Sequence, residues 1–557
     1  MPKQSLVRSR SRRLWRSLLA GLGALLICWS PPPVARGAGA GGLDPSFGAG
    51  GVVSTDFFGK NGPALAVAVQ PDGKIMAAGV AGDVSGEAFA LARFNSDGTL
   101  DPSFGAGGKL TSALPGFPGA FFVSAAAFQP DGKIVLAGAS GVPAFQFGFG
   151  LSRYNTDGSL DTSFGVNGLV TTDFSPPGAV VLAIAFQPDG KIVAGGIAYE
   201  TLVRPRRQDT RVYISALARY DSDGSIDPTF GSAGKVTTAF SGFADAITGL
   251  AVQPDGKILA GGRDGVIEFP PDGIPNFALA RYNSDGSLDQ SFGAGGKVST
   301  DFFGGSDGAD AIALQPDGRI ILAGLAANGP TAGYGLARYL ADGSLDPDFG
   351  AGGKVITVFD GFSEATAIAL QRGGKIVVVG STEPHFSLPL MSGFAVATYN
   401  EDGSLDSSFG SGGIALTNFP GSDNTPLAVA LQRDGRIIAG GRAVSQGKER
   451  FTLARYIGDP GFDLCLQDVS VSSLFLLDSV TGQYEFKTCG GLVLAGTGAI
   501  TRKGGVLTLQ DQAADRSVLA TFDSHANTGS AAIQLLSKHK VFKITDKDTR
   551  ASTCVCH

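Results

Sequence analysis

One phrase recurs seven times between Leu43 and Tyr456, and that repetition constrains the fold more than any local motif. It reads approximately L-D-x-S-F-G-x-x-G-K-V-T-T-x-F, a variable stretch, A-I-A-x-Q-P-D-G-K-I-V-x-A-G, a second variable stretch, then F-x-L-A-R-Y-N-x-D-G-S. Self-similarity on this scale means one small unit stacked on copies of itself, because a single unit cannot bury its own apolar face. The phenylalanine of the first phrase falls at Phe47, Phe104, Phe164, Phe230, Phe292, Phe349 and Phe409, a period of about 60 residues. Four short strands with their turns need about that length.

Within each repeat the turns locate the strands. In Gln129-Pro130-Asp131-Gly132-Lys133, proline presets φ, aspartate bonds its own backbone, and glycine takes the positive-φ position that closes a hairpin. A second tight turn is Asn-x-Asp-Gly, as at Asn155 to Gly158. The third repeat then predicts an inner strand near 183–187, a second near 192–196, a third near 216–220 and an outer strand inside 160–174. The first two are apolar on both faces, as expected of sheets covered on both sides. The 83 glycines, about twice the ordinary share, are read as turn residues, and helical periodicity is nearly absent.

The ends of the repeat region do not match a simple array. The last third strand, ending at Tyr456, has no outer strand after it, whereas Leu43-Asp44-Pro45-Ser46-Phe47-Gly48 supplies an outer-strand phrase ahead of the first inner strand. A ring explains the offset, with the N-terminal strand completing the last sheet. The expected fold is therefore all-β: a seven-bladed β-propeller at 41–458, closed by its N-terminal strand, followed by a small disulfide-linked all-β domain at 459–557. The phrases Q-P-D-G-K-I-V-x-A-G and L-D-P-S-F-G-x-G-G-K-V resemble the bacterial delta-60 repeat family over residues 43–456, with a strand layout similar to NHL-type propellers. That resemblance implies an exported bacterial propeller of largely unassigned role, and the tail resembles a small Cys-x-Cys domain that accompanies such repeats.

Residues 1–40 have the layout of a secretory signal peptide. Arg8, Arg10, Arg12 and Arg13 precede an apolar core from Leu18 to Trp29, and Ala38-Gly39-Ala40 offers a cleavage site. Ser11-Arg12-Arg13-Leu14-Trp15-Arg16 also looks like a twin-arginine signal, while Ile27 ahead of Cys28 disfavours lipoprotein processing. The expected location is periplasmic, cell-surface or extracellular. Export makes disulfides the first reading of Cys465, Cys489, Cys554 and Cys556. A Cys465–Cys489 bond would leave Cys554 and Cys556 to bond across one residue, so cross-pairing is favoured. A metal site at Cys554, Cys556 and His557 is the alternative.

The net charge of −6, with both signs interspersed, points to neither nucleic acid nor an anionic membrane surface. The expected function is a non-catalytic binding or scaffold protein, a monomer, that presents its variable loops to a protein or glycan. Candidate ligand residues are Arg204, Arg206, Arg207 and His385 in the loops between second and third strands, with Arg211 nearby. Asp245, Asp307, Asp310 and Glu364, together with Asp423, precede or begin inner strands, near a channel mouth. No cofactor is expected. Asn95-x-Asp97-Gly98-x-x-Asp101 looks like the end of a calcium loop, but the leading ligand position holds Arg93, and arginine recurs at Arg153, Arg219, Arg281 and Arg338, which predicts internal Arg–Asp pairs instead. The alternative function is a carboxylate- or metal-dependent, lactonase-like hydrolase at the channel mouth. Only His385 lies in the repeats, so a histidine-based relay has a single candidate there.

Overall fold

The computed structural model describes residues 40–458 except for 84–85, 114–121, 143–145, 175–177, 203–209, 241–244, 266–273, 329–330, 384–391, 420–423 and 446–447, together with the strands between Leu464 and Asp546. The proposed signal segment and Cys489, Cys554 and Cys556 lie outside the described residues. No α-helix occurs among the described residues, and none of their helices is long and apolar enough to cross a membrane.

Each repeat folds as an antiparallel meander. The first supplies Ala64–Val69, Ile75–Asp83, Gly86–Phe94 and Lys109–Ala113, hydrogen-bonded in that order. The QPDG turn joins inner to second strand, and the NxDG turn follows the third. In the former, Gly132 has φ 85°, the left-handed value that the hairpin requires. The inner strands are Ala64–Val69, Phe122–Phe128, Gly178–Phe186, Ala246–Val252, Gly308–Leu314, Phe362–Leu370 and Thr425–Leu431. Each packs on the next, and the last packs on the first, so they form a closed ring. The second and third sheets are further linked by a parallel pairing of Gly178 with Phe147.

The two ends meet as the strand count required. Val52–Thr55 lies antiparallel against Lys448–Tyr456, with Val52 opposite Ala454, and Leu43 bridges Tyr456. Between neighbouring sheets the core is built from the second and third strands. Ile376, Val377, Val378 and Val379 are completely buried, whereas the inner strand Thr425–Leu431 alternates buried and half-buried residues. The inner strands are packed by a neighbouring sheet on each face, as expected, and their open edges line a central cavity.

The stretch 199–213, read from sequence as a loop, is largely strand. Ile192–Leu202 and Thr210–Tyr220 pair as far as Leu202 and Thr210, and the Tyr199 and Tyr213 rings lie 5.0 Å apart across the hairpin. Aromatic residues directly opposite each other favour continued pairing, which the turn-based reading did not weigh.

Many glycines are not in turns at all. Every inner strand carries a bulge, and the kinked strand pushes a carbonyl against the second strand of its sheet. A Cβ at Gly262 would stand 1.9 Å from the Ala246 oxygen, and Cβ atoms at Gly324 and Gly380 would stand 2.0 Å from the Gly308 and Glu364 oxygens. The glycine of the repeated A-G is thus set by close backbone approach. Gly262→Ala is expected to cost about 2 kcal/mol, because a mid-strand backbone must move to admit the methyl group. Urea denaturation of the variant measures this, and an unchanged midpoint would contradict it.

Beyond the repeats, Leu464–Asp468, Ser473–Leu477, Gln483–Thr488 and Gly491–Thr497 form a four-stranded antiparallel sheet. Ala499–Lys503, Val506–Ala513, Arg516–Asp523, Thr528–Leu535 and Lys540–Asp546 form a five-stranded one. Cys465 is in the first of these strands, opposite Leu476.

Candidate functional site

The inner strands enclose a cavity of about 880 Å³ to which every one of them contributes. The bulge places an extra residue of each inner strand in its wall. These residues are Leu65, Ser124, Leu182, Thr248, Asp310, Thr366 and Leu427. A bulge leaves its extra residue outside the ladder and re-aims the side chain, which is why one position per repeat acquires this role.

Where the bulge residue carries a hydroxyl, it ties neighbouring sheets together. Thr248 Oγ1 donates to the Ala309 carbonyl and Thr366 Oγ1 to the Pro426 carbonyl, each at 2.6 Å, and Ser124 donates likewise to Val181. Asp310 breaks this pattern, since an ionised carboxylate has no proton to donate. Instead Arg263, at the end of Ile258–Asp264 in the preceding sheet, donates from Nη2 to Asp310 Oδ1 at 2.7 Å. Glu364, from the following inner strand, lies against the same carboxylate. Three successive sheets therefore each contribute one charged group.

Among the described residues, the buried Arg263 Nε has no hydrogen-bond partner, whereas the Asp310 and Glu364 carboxyls share a hydrogen bond. Two carboxyls in contact with one guanidinium cannot both ionise cheaply, so a proton is retained between them. Burial first, and then the Asp310 charge, push Glu364 up to about 7. Burial likewise raises Asp310, against the pull of Arg263. A pair that holds one proton near neutral pH can donate and accept hydrogen bonds at one place.

The other predicted acids have structural surroundings. Asp245 is fully buried and accepts from the Phe240 amide at 2.7 Å. Asp307 accepts from the Phe302 and Ala327 amides at 2.8 and 3.0 Å. In the last sheet Asn424 takes the same part, accepting from the Val444 amide at 2.9 Å. Neither Asp245 nor Asp307 is among the residues lining the cavity; the residue just ahead of the inner strand turns inward to brace its own loop. Arg204, Arg206, Arg207, His385 and Asp423 lie outside the described residues. Sequence reasoning missed Arg263, whose signal was an arginine in place of the apolar or small residue after A-G-G. It also missed Asp264, which accepts from the Asn276 amide at 3.1 Å and is raised by burial.

On the opposite, tight-turn face, three repeated letters meet. The arginine of L-A-R-Y, the aspartate of S-L-D and the basic residue of P-D-G-K form one cluster in every repeat but the sixth, where Thr398 stands in the arginine's place and Lys375 alone pairs with Asp406. Arg219 Nε and Lys191 Nζ stand 2.8 and 3.1 Å from Asp227 Oδ2, while Oδ1 accepts from the Thr229 amide and hydroxyl. The Arg219 guanidinium lies 4.6 Å over the Phe230 ring and also donates to the Ser284 carbonyl of the next repeat. Arg455 repeats this across the chain ends, 2.9 Å from Asp44 and donating to the Ser96 carbonyl. The Arg–Asp pairs expected in place of calcium ligands are present at Arg93, Arg153, Arg219, Arg281 and Arg338. Among the described residues no group of three or more His, Cys, Asp or Glu side chains is placed to hold a metal ion.

A closed ring of four-stranded sheets around one cavity defines a β-propeller repeat protein. Its repeats match the domain of unknown function (DUF5122) β-propeller at residues 70–104, 129–164, 214–230, 253–292, 315–349 and 432–457, and residues 234–269 match the WD domain, G-beta repeat. None of the curated proteins matches the sequence. Similar solved structures include virginiamycin B lyase from Staphylococcus aureus, 11% identical over 72% of this chain and 98% of that one, with a TM-score of 0.39. Polysaccharide lyase Uly1 is 12% identical over 71% and 90%, with a TM-score of 0.38. A functionally unknown protein from Desulfotomaculum acetoxidans is 16% identical over 64% and 94%, with a TM-score of 0.26. Similarity at this level carries no argument about the chemistry of this chain.

Proposed function

We propose that the protein is an exported, non-catalytic binding propeller of seven delta-60-type blades, spanning 41–458, that recognises a protein or glycan at its variable-loop face and channel. In this reading a signal at 1–40 is removed, and 459–557 is a small domain stapled by Cys465, Cys489, Cys554 and Cys556. The supporting observation is the cavity: its wall combines aliphatic side chains with the edges and hydroxyls of the inner strands, and its charged groups are Asp310 and Glu364, with Arg263 behind them. Few convergent polar groups in an apolar concavity are the usual composition of a ligand site. Asp101 is already paired with Arg93 and Lys74, and Asp97 accepts from the Thr99 amide and hydroxyl, so no calcium is assigned to them.

The test is a glycan and surface-protein binding screen of the mature chain, with metal analysis alongside. A hit is expected to weaken at least about tenfold in Asp310→Asn, a loss typical of one buried charged contact. It should also weaken in Arg206→Ala or His385→Ala, with the preparation metal-free. A hit indifferent to all three changes would remove the site. The second reading, a carboxylate-dependent hydrolase, is favoured by the Asp310–Glu364 contact alone, since a pair sharing one proton suits acid and base work. Turnover of esters or lactones that disappears in Glu364→Gln would select it over binding.

A further inference from the structure

We propose that the last N-x-D-G turn of the ring is assembled from both chain ends, so that Ala40 belongs to the mature protein and the export signal is cut ahead of it, between Gly37 and Ala38. This rests on the export reading above and moves its boundary, and the binding reading depends on neither part.

In the intact repeats this turn has one hydrogen-bond signature. At Asn95 to Gly98, the Asn95 amide donates to the Thr99 carbonyl at 2.8 Å and the Gly98 amide to the Asn95 carbonyl at 2.9 Å, with Gly98 at φ 85°. The Asp97 carbonyl then accepts from the Gly48 amide of the preceding sheet at 2.7 Å, and the Asp223, Asp285, Asp342 and Asp402 carbonyls accept likewise from Gly165, Gly231, Gly293 and Gly350. After Tyr456 the phrase is incomplete, and two segments make the same bonds. The Ile457 amide donates to the Gly42 carbonyl at 2.9 Å, the Gly41 amide donates to the Ile457 carbonyl at 2.6 Å, and Gly41 has φ 86°. The Ala40 carbonyl accepts from the Gly410 amide at 2.8 Å. Ala40-Gly41-Gly42-Leu43-Asp44 therefore stands where other repeats have D-G-S-L-D, and the break falls at the second residue of the turn.

An independent observation marks the same break. The carbonyl of the second turn residue receives the arginine of the preceding repeat: Ser96, Ser222, Ser284, Ala341 and Glu401 accept from Arg455, Arg153, Arg219, Arg281 and Arg338. The sixth repeat faces the split turn, and there Thr398 replaces the arginine. The arginine is missing where its acceptor position is interrupted.

A cut after Ala40, the bond suggested by Ala38-Gly39-Ala40, does not fit this turn. It would take the Ala40 carbonyl from the Gly410 amide and place a new ammonium charge at the buried Gly41, and a buried charge is costly without a counter-ion. Upstream, Ala35-Arg36-Gly37 also supplies small residues at the first and third positions before a cut. Hydrolysis there by a signal-processing peptidase adds one water across the peptide bond, leaving a carboxylate on Gly37 and an amine on Ala38.

N-terminal sequencing and intact mass of the full chain, expressed and exported by a bacterial host, test the cut. A start at Ala38 is expected, and a start at Gly39 or Ala40 still supports retention of Ala40. A start at Gly41 or beyond, or an uncut chain, overturns the processing assignment. Gly41→Ala against Gly50→Ala tests the turn. Both positions have positive φ, 86° and 65°, but a Cβ at Gly41 would stand 2.1 Å from the Gly410 nitrogen, whereas one at Gly50 would meet nothing within 4 Å. Urea unfolding should give Gly41→Ala an unfolding constant at least about tenfold greater than that of Gly50→Ala, the effect of forcing a methyl group into a close backbone contact. Equal constants overturn the split turn and leave the export reading intact, while an uncut chain ends the export reading. If Gly41→Ala does not fold, the start site of the parent protein decides.

Discussion

Asp227→Ala is expected to lower the unfolding free energy by about 4 kcal/mol, since it strands a buried cation rather than merely deleting a contact. The side chains of Arg219 and Asp227 are only 7% and 3% exposed, so water cannot replace the lost carboxylate. Arg219 also donates to the Ser284 carbonyl, so the loss loosens the junction with the next repeat as well as the turn itself. Lys191 retains Asp221 as a partner and is the lesser loss. Two comparisons isolate the cause. Glu449→Ala removes a partner from the Arg442–Glu449 pair, whose side chains are a third exposed or more, and should cost less than about 1 kcal/mol. Replacing Arg219 by Met and Asp227 by Leu together should cost less than Asp227→Ala alone, because no charge is left buried. Chemical denaturation measures all three, and equal losses for Asp227 and Glu449 would show that the cluster is not a latch.

The same cluster sets the acid limit of stability. Burial alone would raise the Asp227 carboxyl, but Thr229, Lys191 and Arg219 hold it well below its usual 3.8. A depressed folded value contributes stabilisation that is complete above about pH 4 and is lost as the pH falls through the folded value. Asp161 has the corresponding surroundings, with Lys133, Ser163 and Arg153 outweighing burial.

These clusters were legible in the sequence because each of their members is repeated. The recurrence of Arg93, Arg153 and Arg219 at one position of the phrase was enough to predict Arg–Asp pairing in place of metal ligation. The meeting of the first and last segments followed from a count of strand phrases. What could not be read was whatever depends on departure from the pattern. The bulge is a geometric property of the inner strand, invisible to alternation, and it alone turns Asp310 into the cavity while Asp307, three residues earlier, turns into its own loop. Arg263 comes from the preceding sheet, about 50 residues away in sequence, and only the ring places it beside Asp310. The mid-strand glycines were misread for the same reason, since composition cannot tell a turn from a close approach of backbones.

Glu364→Gln is expected to leave the protein about as stable as the parent near pH 5 and to make it more stable by as much as about 3 kcal/mol at pH 8. Burial and the Asp310 charge raise Glu364 from 4.5 to about 7 in the folded chain. Between those values the unfolded chain has released its proton while the folded chain still holds it. Stability therefore falls as the pH rises through this window, opposite in direction to the Asp227 effect. Glutamine removes the titration and keeps a donor for Asp310, whose remaining cation is Arg263. Unfolding free energies of parent and variant at pH 5, 6, 7 and 8 test this directly, and parallel curves, or a variant less stable at pH 8, would refute it. The neighbouring bulges show what this position does when it only ties sheets together: Thr248 and Thr366 each donate one hydroxyl to the next inner strand and carry no charge. Asp310 stands at that bulge position and takes an ion pair with Arg263 in place of the hydroxyl bond, while Glu364 beside it retains a proton, so the pair weakens the ring as the pH rises.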